Sequence, residues 1–404
     1  MSSPEPGPHC PQCGGEMPGG STECSACGAR PAGAGGSRQA AVLLSLALLA
    51  ALFLLTGFMT RVYLSHEGGL AEEWYRRGKA ELAAGRADAA VESLHTALAY
   101  AKENSVFELT LAQALVAAGR DEEAGAYLRT LHDSQPGNAP VNLELARLAA
   151  KRGDAIAAVG YYVASIYGVW DANGEQRRRQ TRLELIAFLS ARHRASEALA
   201  QILSFAANLP PDPALHVRAG ELFLEQQSYD HALAEFREAL RLEPHNASAL
   251  AGAGRALFAA GKFTEAQASL ERAHRAAPED VTIENDLALS RAATSLDPAV
   301  PGLSAPARAQ RVLRAYQIAD ERLAACSARR PGAATGPLAE SNRRLLDLKP
   351  RMKEKALLRD VELFESAASA ALDSEVRAAD VCGQGSVSDQ ALVLLARRRS
   401  GSAR

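Results

Sequence analysis

The 404-residue sequence lacks the motifs that mark common classes of enzyme. It has no phosphate-binding Gly-Lys-Ser/Thr loop, no Gly-x-Ser-x-Gly turn for a nucleophile and no His-Glu-x-x-His metalloprotease motif. Its nine histidines are scattered along the chain, and its formal net charge is only −2, which gives no indication of nucleic-acid binding. We therefore expect a protein that holds partners and is not an enzyme.

An internal repeat is the strongest pattern that the chain does contain. Equivalent positions, mostly small residues, recur every 34 residues, with one step of 40 that marks an insertion near 173–178. The first set is Gly78, Ala112, Ala146, Ile186, Gly220, Gly254 and Ala288. Twelve residues after the first six come Ala90, Ala124, Ala158, Ala198, Ala232 and Ala266. A fixed period of this length indicates stacked supersecondary units.

Each unit has the pattern of two helices joined by a turn. In the fifth unit Gly220 and Phe223 share a face of the first helix, and Ala232 and Phe236 share a face of the second. Pro244 then closes the unit, because proline ends a helix. Small residues at the contact allow the helices to cross at close range.

These residues resemble the tetratricopeptide repeat (TPR) family. The first unit carries Trp74, Gly78, Ala90 and Ala97, and the second carries Ala112, Leu115, Ala124 and Pro136. The sixth carries Leu250, Gly254, Leu257, Ala266, Leu270, Ala273 and Pro278. The resemblance implies an all-α fold, a TPR α-solenoid over 71–296 with six repeats and a partial seventh. Trp170 and Ile186 depart from the family pattern beside the insertion, and a helix-rich domain of another kind is the alternative.

By the same resemblance, the first helices would line a concave groove that binds a protein or an extended peptide. The positions implied are Tyr75, Lys79, Leu109, Gln113, Leu143, Arg147, Leu183, Val217, Glu221, Leu224, Arg255, Phe258 and Asn285. They do not reproduce the Lys/Asn/Arg clamp with which some relatives bind a C-terminal carboxylate. For each residue, ordinary packing is the alternative interpretation.

The insertion is a second candidate binding segment. Residues 174–179 include three consecutive arginines and follow Tyr161, Tyr162, Tyr167 and Trp170. A basic loop beside aromatic side chains suits an acidic partner or a lipid head group. A solvated loop is the alternative.

One segment is long and apolar enough to cross a membrane. The 22 residues between Arg38 and Arg61 carry no charge, and as a helix they are about 33 Å long, close to the hydrocarbon core of a bilayer. We predict a transmembrane helix over 40–60, preceded by a flexible linker over 31–39 and joined to the first repeat by 61–70. A cleaved signal peptide would start nearer the N-terminus, and a buried globular helix would be shorter or amphipathic.

Two Cys-x-x-Cys-Gly motifs precede this segment. Cys10, Cys13, Cys24 and Cys27 suit a structural zinc ion with four thiolate ligands, so residues 1–30 are predicted to form a zinc ribbon. Two disulfides or a redox pair are the alternatives. The segment has few basic residues and no aromatic residue, so nucleic acid is not an expected partner.

The cysteines also decide the predicted orientation, because the charges that flank the apolar segment do not. Reduced thiols are favoured in the cytoplasm, so the ribbon is expected there and the repeats in the periplasm or its equivalent. Arginine greatly outnumbers lysine and alanine is abundant, which is typical of a high-GC bacterial genome.

Residues 304–399 keep a helical pattern but lose the period, and they suit a cap on the last repeat. Cys326 and Cys382 lie on two apolar stripes, where a disulfide and a pair of buried free thiols both fit. The sequence as a whole predicts a single-pass membrane scaffold that recruits envelope proteins. A membrane-tethered sensor that uses the ribbon as a cytoplasmic docking module is the alternative.

Overall fold

The computed structural model describes residues 9–30, 36–171, 173–329 and 337–401. Within these ranges the regular structure is helical apart from two isolated β-bridges, which confirms the predicted all-α fold. The chain divides into two compact units, Met1–Val169 and Trp170–Arg404.

The first unit contains three helix pairs after the cysteine-rich segment. Its helices are α1 (Gly36–Ala83), α2 (Ala87–Tyr100), α3 (Ser105–Ala117), α4 (Asp121–Ser134), α5 (Ala139–Arg152) and α6 (Ala155–Tyr167). The C-terminal part of α1 packs against α2, α3 packs against α4, and α5 packs against α6. Each pair corresponds to one repeat of the sequence.

The second unit contains three further pairs and a non-periodic region. Its paired helices are α7 (Gly174–Ala191), α8 (Ala195–Ala206), α9 (Pro213–Glu225), α10 (Tyr229–Leu242), α11 (Ala247–Ala259) and α12 (Phe263–Ala276). The remaining helices are α13 (Val281–Leu296), α14 (Ala305–Arg329), α15 (Pro337–Leu348), α16 (Glu354–Arg359), α17 (Val361–Cys382) and α18 (Val387–Gly401). A short 3-10 helix, Lys349–Arg351, follows α15.

The turn inside each helix pair has one residue in the left-handed backbone conformation, at the same position in every pair. The six turn positions are Gly85, Gly119, Gly153, His193, Gln227 and Gly261, with φ between 57° and 84°. The next amide donates back over the turn to a carbonyl five residues earlier, as from Arg86 to Glu81 (2.9 Å) and from Ser228 to Phe223 (2.9 Å). This hydrogen bond closes the first helix and starts the second. Because glycine adopts positive φ without steric cost, His193 and Gln227 are the strained members of the set.

The connection between pairs is also periodic. Asparagine or aspartate caps the first helix of five repeats, and its side-chain oxygen accepts hydrogen bonds from backbone amides of the first turn. The caps are Asn104, Asn138, Asp212, Asn246 and Asp280.

Glycines at the pair contacts have no room for a side chain, as the sequence predicted. A Cβ on Gly78 would lie 2.6 Å from Leu94 Cγ, and one on Gly254 would lie 2.6 Å from Leu270 Cγ. Phe236 is fully buried, and its ring lies against both Gly220 of the same repeat and Gly252 of the next. The aromatic ring therefore joins two consecutive repeats at a position where only hydrogen fits.

Two segments differ from their predicted form. Residues 36–39 and 61–70 were expected to be linkers, but they lie within α1, which is a continuous helix of 48 residues. No proline interrupts this stretch, so nothing in it breaks the helix. The other linker residues, 31–35, lie outside the described part of the chain.

The predicted basic loop is also wrong. Residues 174–179 form the start of α7, which has 18 residues where the first helices of the neighbouring repeats have 13 or 14. The insertion thus lengthens a helix, because residues 174–179 contain no proline and only one glycine, which stands at the helix start.

The C-terminal helices bury the end of the repeats, as expected of a cap. Ala288 is exposed, so α13 has no hairpin partner of the usual kind at that position. On its other face, Ala293 and Leu296 join one core cluster with Leu392 and Leu395 of α18, which packs against α13. The last helix of the chain therefore covers the last helix of the repeats.

Candidate functional site

The four N-terminal cysteines form one cluster. Their sulfur atoms all lie within 4.8 Å of one another, with 3.7 Å between Cys10 Sγ and Cys27 Sγ and 3.6 Å between Cys13 Sγ and Cys24 Sγ. A tetrahedron of thiolates at the usual Zn–S distance of about 2.3 Å has edges of about 3.8 Å. The cluster therefore has the dimensions of a four-thiolate metal site.

Two turns with the same hydrogen bonds hold these sulfurs. The amide of Cys10 donates to Gly15 O (2.8 Å) and the amide of Gly14 donates to Cys10 O (2.9 Å). In the second turn, the amide of Cys24 donates to Ala29 O (2.9 Å) and the amide of Gly28 donates to Cys24 O (2.8 Å). Gly14 and Gly28 have φ of 74° and 73°, a conformation that glycine adopts without strain, which explains the glycine after each motif.

Backbone amides favour the thiolate form at the first cysteine of each turn. Hydrogen bonds from the amides of Ala26 and Cys27 lower the pKa of Cys24 to about 7. The amides of Gln12 and Cys13 lower the pKa of Cys10 in the same way. Such bonds stabilise the charged sulfur that binds a metal ion.

The fourth thiol shows the opposite effect. The amide of Ala29 acts to lower the pKa of Cys27, but the neighbouring thiol of Cys13, burial, and the other cysteines outweigh it and raise this pKa to about 12. Cys27 therefore retains its proton at neutral pH, because a further negative charge beside the other sulfurs is unfavourable. A bound cation would relieve this repulsion, since metal binding releases the remaining protons.

Helix α1 is the one helix within the described residues that is long and apolar enough to cross a membrane. Its apolar side chains are exposed over the segment predicted to span, including Phe53 at 78% and Leu44 at 71%. A helix that exposes this much apolar surface needs a lipid or protein environment to cover it.

In the first unit, the predicted groove residue Tyr75 contacts the next repeat. Tyr75 stacks on Phe107 with ring centroids 4.3 Å apart, and Lys79 Nζ lies 5.4 Å from the centre of the Tyr75 ring. Thr110 Oγ1 donates to Tyr75 OH at 3.3 Å. Leu109 and Leu143 are half-buried, so part of each stays accessible.

A polar cluster joins α3 to α5 on the same side. Gln113 Nε2 donates to Glu144 Oε1 (2.9 Å), and Arg147 Nη1 lies 3.2 Å from the same oxygen. Glu144 is only 8% exposed, while Arg147 is exposed. Gln113 and Arg147 were predicted from the sequence, whereas the buried carboxylate of Glu144 between them was not.

In the second unit the predicted residues divide into packed and accessible ones. Val217 belongs to the core, because its side chain packs between α9 and its neighbours. It therefore offers little surface to a partner. Leu183 and Leu224 pack partly on the same cluster, and Phe258 packs beside Phe263 with ring centroids 5.0 Å apart. Glu221 pairs with Arg218 at 3.4 Å.

Arg255 faces a carboxylate of the next repeat, Asp286, which adjoins the exposed Asn285. Burial raises the pKa of Asp286, and the charge of Arg255 opposes that rise. Asp286 follows Arg255 by 31 residues, the same separation as Glu144 after Gln113. A polar pair thus recurs at one structural position in both units. The signal in the sequence was an acidic residue 31 positions after a polar residue of the preceding first helix.

The structure also brings Cys326 and Cys382 together. Their Cα atoms lie 5.9 Å apart at the facing sides of α14 and α17, which is the usual separation in a disulfide. Nearby, Arg322 donates to Gly383 O, and Glu375 is 1% exposed with Oε1 unpaired among the described residues.

Comparison with known proteins accounts for the helix pairs. One tetratricopeptide repeat model matches residues 81–131 and 223–283, and a second matches 188–247. The chain contains tetratricopeptide repeats. The TPR assignment made from the sequence is therefore confirmed in both units.

Relatives of known structure or curated description match only parts of this TPR protein. Bacteriophage adsorption protein A of Escherichia coli (strain K12) is 30% identical over 81 residues, which are 20% of this chain and 8% of that protein. The chain thus spans under a tenth of that relative's length.

Solved structures match about half of the chain at low similarity. YrrB, described as a TPR protein with an unusual peptide-binding site, is 16% identical, with a TM-score of 0.37 over 48% of this chain and 97% of its own. PilW, a type IV pilus biogenesis factor, is 14% identical, with a TM-score of 0.38 over 54% of this chain and 98% of its own.

Proposed function

We propose that this chain is a single-span bacterial membrane protein whose TPR units bind a protein partner in the cell envelope. The repeats make it a scaffold of the protein-interaction kind, and α1 would anchor it in the bilayer. The observation that carries the proposal is the row of partly accessible side chains on the first helices, in which Gln113 and Arg147 of consecutive repeats in the first unit both contact Glu144.

This row suits an extended polypeptide. It combines half-buried leucines with polar groups that already have fixed positions, because Glu144 and Asp286 lie between neighbouring first helices. Apolar contacts would supply affinity, and fixed amide and charged groups would orient the peptide backbone. Within this row, the charged residues of the first unit are Lys79 and Arg147, and both are exposed cations, which favours an acidic peptide there.

Photo-crosslinking in cells tests the proposal. A photoreactive amino acid at Gln113 or Leu143 should form a discrete crosslinked product with one envelope protein. The matched control is Thr130, which is exposed on the second helix α4. Equal crosslinking from all three positions, or none from the first two, would argue against the first-helix row as the binding surface.

The cysteine cluster supports a structural zinc ion at the N-terminus. Cys10, Cys13, Cys24 and Cys27 would hold the ion, which leaves no open position for substrate and would supply folding free energy to a segment with little apolar core. We place this ribbon in the cytoplasm, where thiols stay reduced.

The C-terminal cysteines support the same orientation. A disulfide between Cys326 and Cys382 would form outside the cytoplasm, on the opposite side of the membrane from the ribbon. A membrane-impermeant maleimide applied to intact spheroplasts tests this. After reduction with an impermeant phosphine it should label Cys326 and Cys382 but not the ribbon, and the reverse pattern would invert the topology.

A sensor is the second candidate, and one observation favours it. The predicted span and the first repeat share the continuous helix α1, so a change at the repeats has a direct mechanical route to the membrane. A variant whose ribbon no longer docks in the cytoplasm, but whose repeats still bind the partner, would distinguish the two: it should lose activity if the protein is a sensor and keep it if the protein is a simple scaffold.

A further inference from the structure

The non-periodic C-terminal region encloses a cavity that the scaffold role does not use. Its volume is 340 Å³, and its walls are formed by α14, α17 and α18, together with the end of α13 and residues 297–299. Much of its lining is apolar and is formed by Val312, Ala315, Ala368, Leu372, Leu392 and Leu395. This volume lies at the lower end of the range for small-molecule sites.

Charged side chains surround the mouth of this cavity, and most of them are paired. Arg398 Nη1 donates to Asp297 Oδ2 at 2.9 Å, and Arg399 Nη2 donates to Glu365 Oε2 at 2.9 Å. Asp297 Oδ1 also accepts from the amide of Ala299 at 2.8 Å. These groups therefore have partners before any ligand binds.

Arg308 is the exception at the rim. Its Nε donates to Pro298 O at 3.2 Å, and its guanidinium lies 5.6 Å from the centre of the Phe364 ring. Among the residues that the structure describes, no carboxylate forms an ion pair with it. The mouth thus has one positive charge that the protein itself does not neutralise.

We propose that this cavity binds an amphiphile with one negative charge and a compact hydrocarbon body, such as a medium-chain carboxylate. The hydrocarbon would fill the apolar interior, and the carboxylate would pair with Arg308 at the mouth. An apolar cavity of about 150 Å³ holds benzene, so 340 Å³ suits a chain of roughly a dozen heavy atoms.

The rim explains why a peptide is the less suitable ligand. A peptide brings several backbone donors and acceptors to the mouth, and each loses water when it binds. Asp297 and Glu365 are already engaged by arginines, so they offer few acceptors for peptide amides. A monocarboxylate needs only the one cation that is available.

The test uses a decanoate analogue with a diazirine near its methyl end, added to the full chain in phosphatidylcholine nanodiscs. Crosslinks, mapped by peptide mass spectrometry, should fall on α14, α17 and α18, and unlabelled decanoate should compete at lower concentration than decanol. Arg308→Gln should weaken the competition by decanoate about tenfold and remove its advantage over decanol. Arg314→Gln is the matched control, because Arg314 is exposed on the same helix and does not line the cavity.

A second variant tests the interior. Leu372→Phe reduces the space and keeps every charge, so it should lower labelling for decanoate and decanol alike. Labelling that does not saturate, or that is the same in Arg308→Gln as in Arg314→Gln, would overturn the proposal. Competition by the peptide Ala-Leu-Phe in place of decanoate would also overturn it, in favour of a peptide carboxylate. None of these outcomes depends on whether the first-helix row binds a partner.

Discussion

The substitution Gly252→Ala tests whether close approach of neighbouring repeats depends on the absence of a side chain. Gly252 lies on α11, and Cε1, Cζ and Cδ1 of the Phe236 ring all lie inside van der Waals contact of the position that its Cβ would take. Phe236 has 0% exposure and also touches Gly220, so the ring cannot move aside without displacing α9. The added methyl group must therefore push two repeats apart.

The expected magnitude follows from two opposing terms. Overpacking of a tight core costs about 1–3 kcal/mol. Replacing a helical glycine by alanine returns about 0.5–1 kcal/mol, because the unfolded chain becomes less flexible. We expect the overpacking term to exceed the entropic one, so that Gly252→Ala lowers the free energy of unfolding by about 1–2 kcal/mol.

Two further variants make the measurement decisive. Gly160→Ala is the matched control, because Gly160 is an exposed helical glycine with no atom within 4 Å of an added Cβ, and it should be stabilising. Phe236→Leu should itself destabilise, yet it should reduce the cost of Gly252→Ala, which gives a positive coupling in a double-mutant cycle. Urea unfolding of the full chain, followed by circular dichroism, provides the values. If Gly252→Ala stabilises as much as Gly160→Ala, the steric argument fails.

The remaining predictions concern the turns, the cysteines and one buried acid. Gln227→Gly should raise the free energy of unfolding by about 1 kcal/mol in the same assay, since it removes a left-handed non-glycine residue, and no gain would refute the strain. Cys13→Ser should abolish the one equivalent of zinc that elemental analysis is expected to find, whereas retained zinc would exclude the four-thiolate site. Cys326→Ser should lower the unfolding free energy by up to about 4 kcal/mol in the chain-entropy account, given the sequence separation of 56, and an unchanged value under oxidising conditions would exclude the bond. Burial, aided by Asp389 and opposed by Arg322, raises the pKa of Glu375 to about 7, so ionisation of this acid lowers the free energy of unfolding as the pH rises from the ordinary glutamate pKa through 7. Glu375→Gln should therefore be more stable than the parent by on the order of 2–3 kcal/mol at pH 8 and differ little from it at pH 4. A difference in stability that does not change with pH would contradict this.

The repeat architecture was predictable because its signals are local and recur. Gly78 and Gly254 occupy equivalent positions, and each meets a leucine sixteen residues later at the same distance, so one steric rule explains both. The capping residues were equally available, since Asn138 follows Asn104 by one period of 34 residues and, after the insertion, Asn246 follows Asp212 by the same period. These caps were not among the predicted features, although an N-cap is a short-range signal.

Other features depend on contacts that no short-range signal encodes. The packing of Leu395 in α18 against Leu296 in α13 joins residues about a hundred positions apart, and the periodic pattern has ended between them. Residues 61–70 were predicted to join the membrane segment to the first repeat, but the helical pattern on both sides continues through them as one helix. Val217 was assigned to an accessible face from its repeat position, but the local packing of α9 buries it.

The uninterrupted helix α1 has a geometric consequence for a chain that spans a membrane as proposed. A helix advances 1.5 Å and turns about 100° with each residue, so the number of residues between the apolar segment and Trp74 fixes the heading of the first repeat about the bilayer normal. Removing a single residue there would rotate the first repeat about the bilayer normal by about 100° and move it only about 1.5 Å closer to the membrane. Relatives that share this arrangement should tolerate changes of seven residues, about two full turns, far better than changes of two.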